Sequence, residues 1–339
     1  MPEDSRQFLL AKISSEIRRK GRITYRELLE ILLYEPTHGF YTRYLQIGDG
    51  PEFHFSTRPI ELSPFYGRAF AKRIKELIGS TGLGSQNLNL VALGDGDGTL
   101  FGDVARELKK HREIERRLKK TSIELVPRFA AGQARRLEPL GVRVINDSAV
   151  NLDRHIDPGS GIFFAHEFLD QLPINRVLNT GNIILERYIT LRGSRFVEVN
   201  GPLSSPELEE YFQITRPLRS GQSCAVIIDA MRLIKKLSAI IKQGIIIIID
   251  YNVERGGLHD IAHSRFGRGV PLQPETLTNA IGKDITTDVD FEALKLIAGH
   301  FGFETIFEAS DGDFLKAHLL SILHDRLGPP MKVLVLEKR

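Results

Sequence analysis

The stretch NLNLVALGDGDGTLFGDVARELKK, Asn87 to Lys110, decides the fold. It opens on an apolar run flanked by turn residues, the pattern of a strand buried on both faces of a parallel sheet. Gly94, Gly96 and Gly98 follow within the turn, and a helical pattern begins at once after them. Glycine lets a chain turn sharply and lets a ligand approach the backbone. The spacing is GxGxG, so the GxGxxG dinucleotide fingerprint is not met. Alone, the turn reads equally well as a merely tight strand-to-helix connection.

The same alternation continues outward. SIELV (122–126) reads as a second strand and FAAGQARRLEPL (129–140) as a helix; VRVIN (142–146) is a third strand, and GIFFA (161–165) a fourth that enters HEFLDQLP (166–173). Strand–helix repetition of this kind marks a right-handed parallel α/β sheet. NIILERYITLRGSRFVEV (182–199) interrupts it with period-two alternation around Arg192-Gly193-Ser194, a hairpin signal. A helical segment is expected over about 205–243, then the buried strand GIIIIIDYN, a helix over Phe291–His300, a strand over Phe303–Phe307, a further helix and the strand VLVLE. On the N-terminal side, residues 4–34 read as two helices. Thr24 and Glu27 stand at capping-box spacing before the second. Tyr41–Thr57 reads as a loop or short hairpin, and Ser63-Pro64 opens a helix ending near Gly79. The expected division is a mostly helical N-terminal region over 1–84 and a core over 85–339, with an insertion at about 177–243.

Composition removes several function classes. The single cysteine, Cys224, excludes an internal disulfide framework and a Cys-rich zinc site, and favours a reducing, cytoplasmic setting. The opening residues show no long apolar core, so no secretory signal is expected. The longest pure apolar run, Ile245–Ile249, falls far short of the roughly 20 residues of a membrane span. A net charge of +3 does not imply a nucleic-acid partner. The basic run Lys109–Lys120 reads as the solvated face of a helix with Glu113 and Glu115. His259 and His263 have a metal-compatible spacing, but glycines flank them and no HExxH or cysteine accompanies them, so no metal is expected.

The residues of the turns suggest chemistry. Asp95 and Asp97 lie inside the glycine loop. They would repel a pyrophosphate at the helix N-terminus, whereas a cofactor carrying an ammonium and a sulfonium would tolerate them. That favours S-adenosylmethionine over a nicotinamide dinucleotide. Glu124, ending the second strand, can accept hydrogen bonds from both ribose hydroxyls, a geometry the two cofactors share. His166, Glu167 and Asp170 follow the fourth strand, where an acceptor would sit; they read equally as a helix start with dipole-favouring acids.

Taken in order, ILLYEPTHGFY (31–41), ELSPFYG (61–67), LGDGDGTL (93–100), IELVPRFAAGQ (123–133), AHEFLDQLPINR (165–176), IIDYN (248–252) and DITTDVDFEAL (284–294) resemble the MidA family of class I S-adenosylmethionine-dependent methyltransferases. That family includes the mitochondrial complex I assembly factor that methylates a protein arginine. The resemblance implies an α/β fold: a Rossmann-like class I methyltransferase sheet with a mostly helical N-terminal region and an inserted hairpin and helical region. It implies that Gly94, Gly96 and Gly98 line S-adenosylmethionine and that Glu124 holds the ribose; Asp95 and Asp97 stand where the family usually has Pro and Arg. It also implies that Glu167 and Asp170 stand beside the acceptor, with Ser56, Thr57 and Glu61 on the substrate side. The expected function is methylation of a protein side chain, arginine favoured. The alternative is an inactive assembly or scaffold protein that kept the fold. The chain departs from the family where an acid precedes Leu-Gly (Ala92 here) and where Asn precedes Glu-Phe-Leu (His166 here).

Overall fold

The computed structural model describes residues 1–252, 265–266, 270–319 and 330–339, with the backbone alone at 265 and 266. His259 and His263 lie outside the described residues. The chain divides into two compact units: residues 46–168, 232–251 and 298–339 form one, and residues 1–45, 169–231 and 252–297 the other. This differs from a cut at 84/85. The helix Phe65–Ser80 belongs with the glycine-loop unit, because its apolar face joins the same buried cluster as the strand Leu88–Leu93.

The first unit is built on a seven-stranded sheet. Its strands are β1 (Leu88–Leu93), β2 (Leu118–Glu124), β3 (Val142–Asn146), β4 (Gly159–His166), β5 (Ile241–Asp250), β6 (Glu304–Ser310) and β7 (Lys332–Lys338). The spatial order is β3-β2-β1-β4-β5-β7-β6. The strands from β3 to β5 pair in parallel, and β7 runs antiparallel to both neighbours. The isoleucine run explains the place of β5. Ile245–Ile249 are all at most 3% exposed, as a central strand covered on both faces requires. The register aligns Leu93 with Ile123 and Ala165, and His166 with Ile249. The carboxyl ends of β1, β2, β4 and β5 therefore open along one edge, where ligands of open α/β sheets bind.

Beneath the sheet, Phe101 and Phe70 stack edge-on against Phe164 with ring centroids 5.3 and 5.5 Å apart. Such pairs add about 0.5–1.5 kcal/mol each beyond their burial.

The second unit carries an antiparallel sheet. Ile184–Arg192 and Arg195–Gly201 form the expected hairpin, turning at Gly193, whose φ is +63°. Ile184–Arg192 also pairs with Ile23–Thr24 and with Asn175–Asn179. The helix Tyr25–Tyr34 starts with the expected capping box: the Thr24 hydroxyl accepts the Glu27 N–H at 3.1 Å, and the Glu27 carboxylate accepts the Thr24 N–H at 2.7 Å. The segment expected to be helical over about 205–243 is two helices, Pro206–Ile214 and Ile228–Ile240, separated by a strand, Ser223–Val226. That strand pairs with Asn175–Leu178, so its conformation comes from a distant partner and not from local pattern. Gly221, at φ +80°, makes the turn into it.

Candidate active site

The glycine loop joins β1 to the helix Thr99–Leu108, and all three glycines adopt positive φ: +66° at Gly94, +54° at Gly96 and +81° at Gly98. A side chain would be strained at each. A Cβ on Gly94 would stand 2.3 Å from the Phe168 ring, whereas one on Gly96 would meet only Ile47 Cδ1 at 3.4 Å. Gly96 thus bares its backbone, and Gly94 lets the turn after β4 come close. The two aspartates serve the helix start. Asp95 accepts the Phe101 N–H at 3.1 Å; Asp97 accepts the Thr99 N–H at 2.9 Å and the Arg136 guanidinium at 2.9 Å. They satisfy amides that a helix leaves unpaired and face its positive end. Burial also pushes the Asp95 carboxyl well above the usual range. Helix capping therefore accounts for both carboxylates, which had favoured a cationic cofactor on charge alone.

Glu124 ends β2, 5% exposed. Burial raises its carboxyl to about 7, although the N–H groups of Val126 (at 2.8 Å), Gly96 and Leu125 pull it back. Gln133 Nε2 also reaches Glu124 Oε2, at 3.5 Å, a long contact that a sugar hydroxyl could replace. Gln133 was not foreseen. It is fully buried, donates to the Gly96 carbonyl at 2.9 Å and accepts the Ser122 hydroxyl at 2.7 Å, tying the loop to β2. Next to Glu124, Leu125 is exposed, and Asn146 holds the carbonyls of both residues at 2.8 and 2.9 Å. The cradle of bare glycine, a buried acid and an exposed apolar side chain fits a nucleoside-bearing cofactor.

The second cluster stands at the ends of β4 and β5. Glu167 is the sole described non-glycine residue at positive φ, +47°, and its N–H donates to the Ile249 carbonyl at 2.9 Å. Its side chain is 10% exposed and that of His166 is 6%. Burial, reinforced by Asp250, raises Glu167 to about 8; the Arg58 charge, the Tyr251 hydroxyl at 3.4 Å and the Arg58 N–H oppose this. Asp250 accepts the N–H groups of Phe168 at 3.2 Å and Tyr251 at 2.9 Å. The Arg58 guanidinium forms a buried ion pair with Asp311. His166 meets the Tyr66 hydroxyl at 2.9 Å through Nε2, and burial lowers it to about 3. A ring nitrogen already engaged on an imidazole so weakly basic is poorly set to take a proton.

The structure thus brings Gly94–Gly98 and Glu124 together, and Glu167 with His166. Ser56 and Thr57 lead into Arg58, whose N–H reaches Glu167, and the Ser56 hydroxyl oxygen is buried with no hydrogen-bond partner among the described residues. Glu61 ends the short helix Arg58–Glu61 exposed to solvent. Asp170 belongs to the other unit, where its carbonyl accepts the Thr287 N–H at 2.9 Å. Arg58, Tyr66, Asp250, Tyr251 and Asp311 escaped the sequence reading. Only Asp250 left a signal, a carboxylate closing an all-apolar strand.

A family model described as an S-adenosyl-L-methionine-dependent methyltransferase matches residues 69–307. The chain belongs to that family. Curated relatives include the mitochondrial protein arginine methyltransferase NDUFAF7 of Danio rerio, 27% identical over 86% of this chain and 72% of its own length. The Homo sapiens protein of that name is 26% identical over 86% of this chain and 68% of its own. A crystal structure described as a methyl transferase from Burkholderia thailandensis, bound to S-adenosyl-homocysteine, superposes with a TM-score of 0.78 at 18% identity, covering 100% of this chain and 94% of that one. The methyltransferase fold and the S-adenosylmethionine cofactor expected from the sequence are both borne out. For this methyltransferase the glycine turn and Glu124 are the residues that fit the cofactor.

Proposed function

We propose that this S-adenosylmethionine-dependent methyltransferase modifies a protein side chain, and that the acceptor is an arginine guanidinium. The observation that carries this reading is Glu167. Burial beside Asp250 keeps its carboxyl largely protonated at neutrality, and a cation brought against it would favour the anion. Arg58 pairs with Asp311, and although its charge and N–H reach Glu167, they do not overcome the burial of that carboxyl. A guanidinium offers the paired donors a carboxylate takes best. The named relatives act as protein arginine methyltransferases, which agrees.

The cofactor supplies an electrophilic methyl carbon on a sulfonium. Gly96 and Glu124 hold the donor, and Glu167 aligns a guanidinium nitrogen with that carbon. Alignment of this sort lowers a barrier by roughly 7–11 kcal/mol. Bound donor would supply the methyl group, with sulfur keeping the electron pair of the broken carbon–sulfur bond, and the proton that the guanidinium loses would pass through Glu167 to solvent. Because a guanidinium keeps its proton to about pH 12.5 or above, Glu167 must stabilise charge until late.

Incubation of the full chain with labelled donor and a cell lysate, with mass spectrometry of the modified protein, tests this. Methylarginine is expected; label on another side chain, or none, would overturn the acceptor assignment. The buried single cysteine agrees with a cytoplasmic setting, which cell fractionation would test.

A further inference from the structure

The helix Pro127–Leu137 has two faces of opposite character. Ala130, Gln133 and Leu137 are buried on one. Arg128, Gly132, Arg135 and Arg136 fall at i, i+4, i+7 and i+8 and share the other. With Phe129 and Asp97 they line an open groove of about 500 Å³ in the first unit, a size usual for small-molecule sites. Gly132 makes the floor. A Cβ there would meet only Arg135 Nη2, at 4.0 Å, so no close packing calls for a glycine. Glycine weakens a helix interior, and its use here leaves the floor bare. The helix carries no acid of its own, unlike the run Lys109–Lys120 with Glu113 and Glu115. Arg128 stands in the first turn, against the positive end of the helix, where helix stability alone would not put a cation. Its guanidinium lies over the Phe129 ring, 4.3 Å from the centroid. Arg135 is exposed and forms no ion pair among the described residues.

We propose that this groove is a binding site for a small phosphate-bearing molecule, separate from the methyl-donor cradle. Three guanidiniums against one carboxylate leave the lining with a net charge of +2. A phosphate group brings about −1.5 to −2 and three acceptor oxygens, which guanidiniums meet through paired N–H donors. Asp97 does not compete for the whole of that charge. Its carboxylate already accepts the Thr99 N–H at 2.9 Å, the Thr99 hydroxyl at 2.7 Å and Arg136 at 2.9 Å. Three cations around one cavity suit a compact polyanion; an extended acidic chain spreads its charge along a track. The groove borders the cradle without sharing its glycines. Arg136 reaches Asp97 at the start of the helix Thr99–Leu108, the Arg128 charge reaches Glu124, and Gln133 holds the Gly96 carbonyl from another face of the same helix.

Calorimetry of the full chain with inorganic pyrophosphate, at constant ionic strength, tests this with and without saturating S-adenosylhomocysteine. One pyrophosphate should bind per chain in both conditions. Arg135→Gln and Gly132→Leu should each weaken it at least about 10-fold, the first by removing a charge-assisted hydrogen bond and the second by filling the floor. Both variants should bind S-adenosylhomocysteine as the unaltered protein does. Leucine is the better helix former and has open space at Gly132, so Gly132→Leu should melt no lower than the unaltered chain. Adenosine diphosphate in place of pyrophosphate identifies the source of the phosphate. Equal affinity assigns a free phosphate and tighter binding a nucleotide, and either supports the site. No binding of pyrophosphate, its displacement by S-adenosylhomocysteine, full affinity in both variants, or tighter binding of a hexaglutamate peptide would overturn the proposal.

Discussion

Gly96 and Glu167 are the residues on which the chemistry turns, and each gives a sharp expectation. Gly96 combines a φ of +54° with open space around its missing Cβ. Gly96→Val should abolish donor binding measured by calorimetry, because the branched side chain both strains the turn and fills the cradle. Glu167→Gln should retain donor binding and lose at least about 100-fold in transfer, within the range that a positioned acid–base group supplies. Arg58 illustrates a different economy. It is 7% exposed and its partner Asp311 is 1% exposed. Asp311→Asn leaves a guanidinium buried without its counter-charge and should destabilise the first unit by about 3–5 kcal/mol in denaturant unfolding.

Among elements, β5 is the most exacting, since its isoleucines are covered by both neighbouring strands and both faces. Ile247→Ala should cost about 2–5 kcal/mol, from lost transfer energy and the cavity left behind. The helix Tyr25–Tyr34 depends instead on its first turn. Thr24→Ala removes one half of the reciprocal cap and should cost about 1 kcal/mol, visible as faster hydrogen exchange of the amides that follow. Elements also differ in legibility. The strand–glycine–helix unit, the isoleucine strand, the hairpin and the capping box could all be read locally, because burial period and turn chemistry are written in neighbouring residues. Ser223–Val226 could not, since a four-residue strand exists only through its pairing with Asn175–Leu178. The antiparallel direction of β7 was equally hidden, because the apolar pattern of a buried strand is the same in either direction.

For the molecule as a whole, two buried acids, in addition to Asp95, contribute a stability that falls as pH rises. Glu124 and Glu167 have folded values raised to about 7 and about 8 from an ordinary value of 4.5. The folded chain therefore binds more protons than the unfolded one between those limits. Their contribution is fully present below about pH 4.5 and is lost as pH rises through about 7 to 8. Without ligand, Glu167→Gln should melt a few degrees higher than the unaltered protein above pH 8, with little difference near pH 5. The sequence by itself determined the parallel α/β architecture, the glycine turn and the acid ending the second strand. These follow from local period, from the backbone freedom of glycine and from the polarity change at a strand end. Only the tertiary structure decided what surrounds Glu167. Arg58 and Asp311 lie 253 positions apart and Tyr66 and His166 lie 100 apart. Their meeting depends on strand register and helix packing, which no short stretch of sequence encodes.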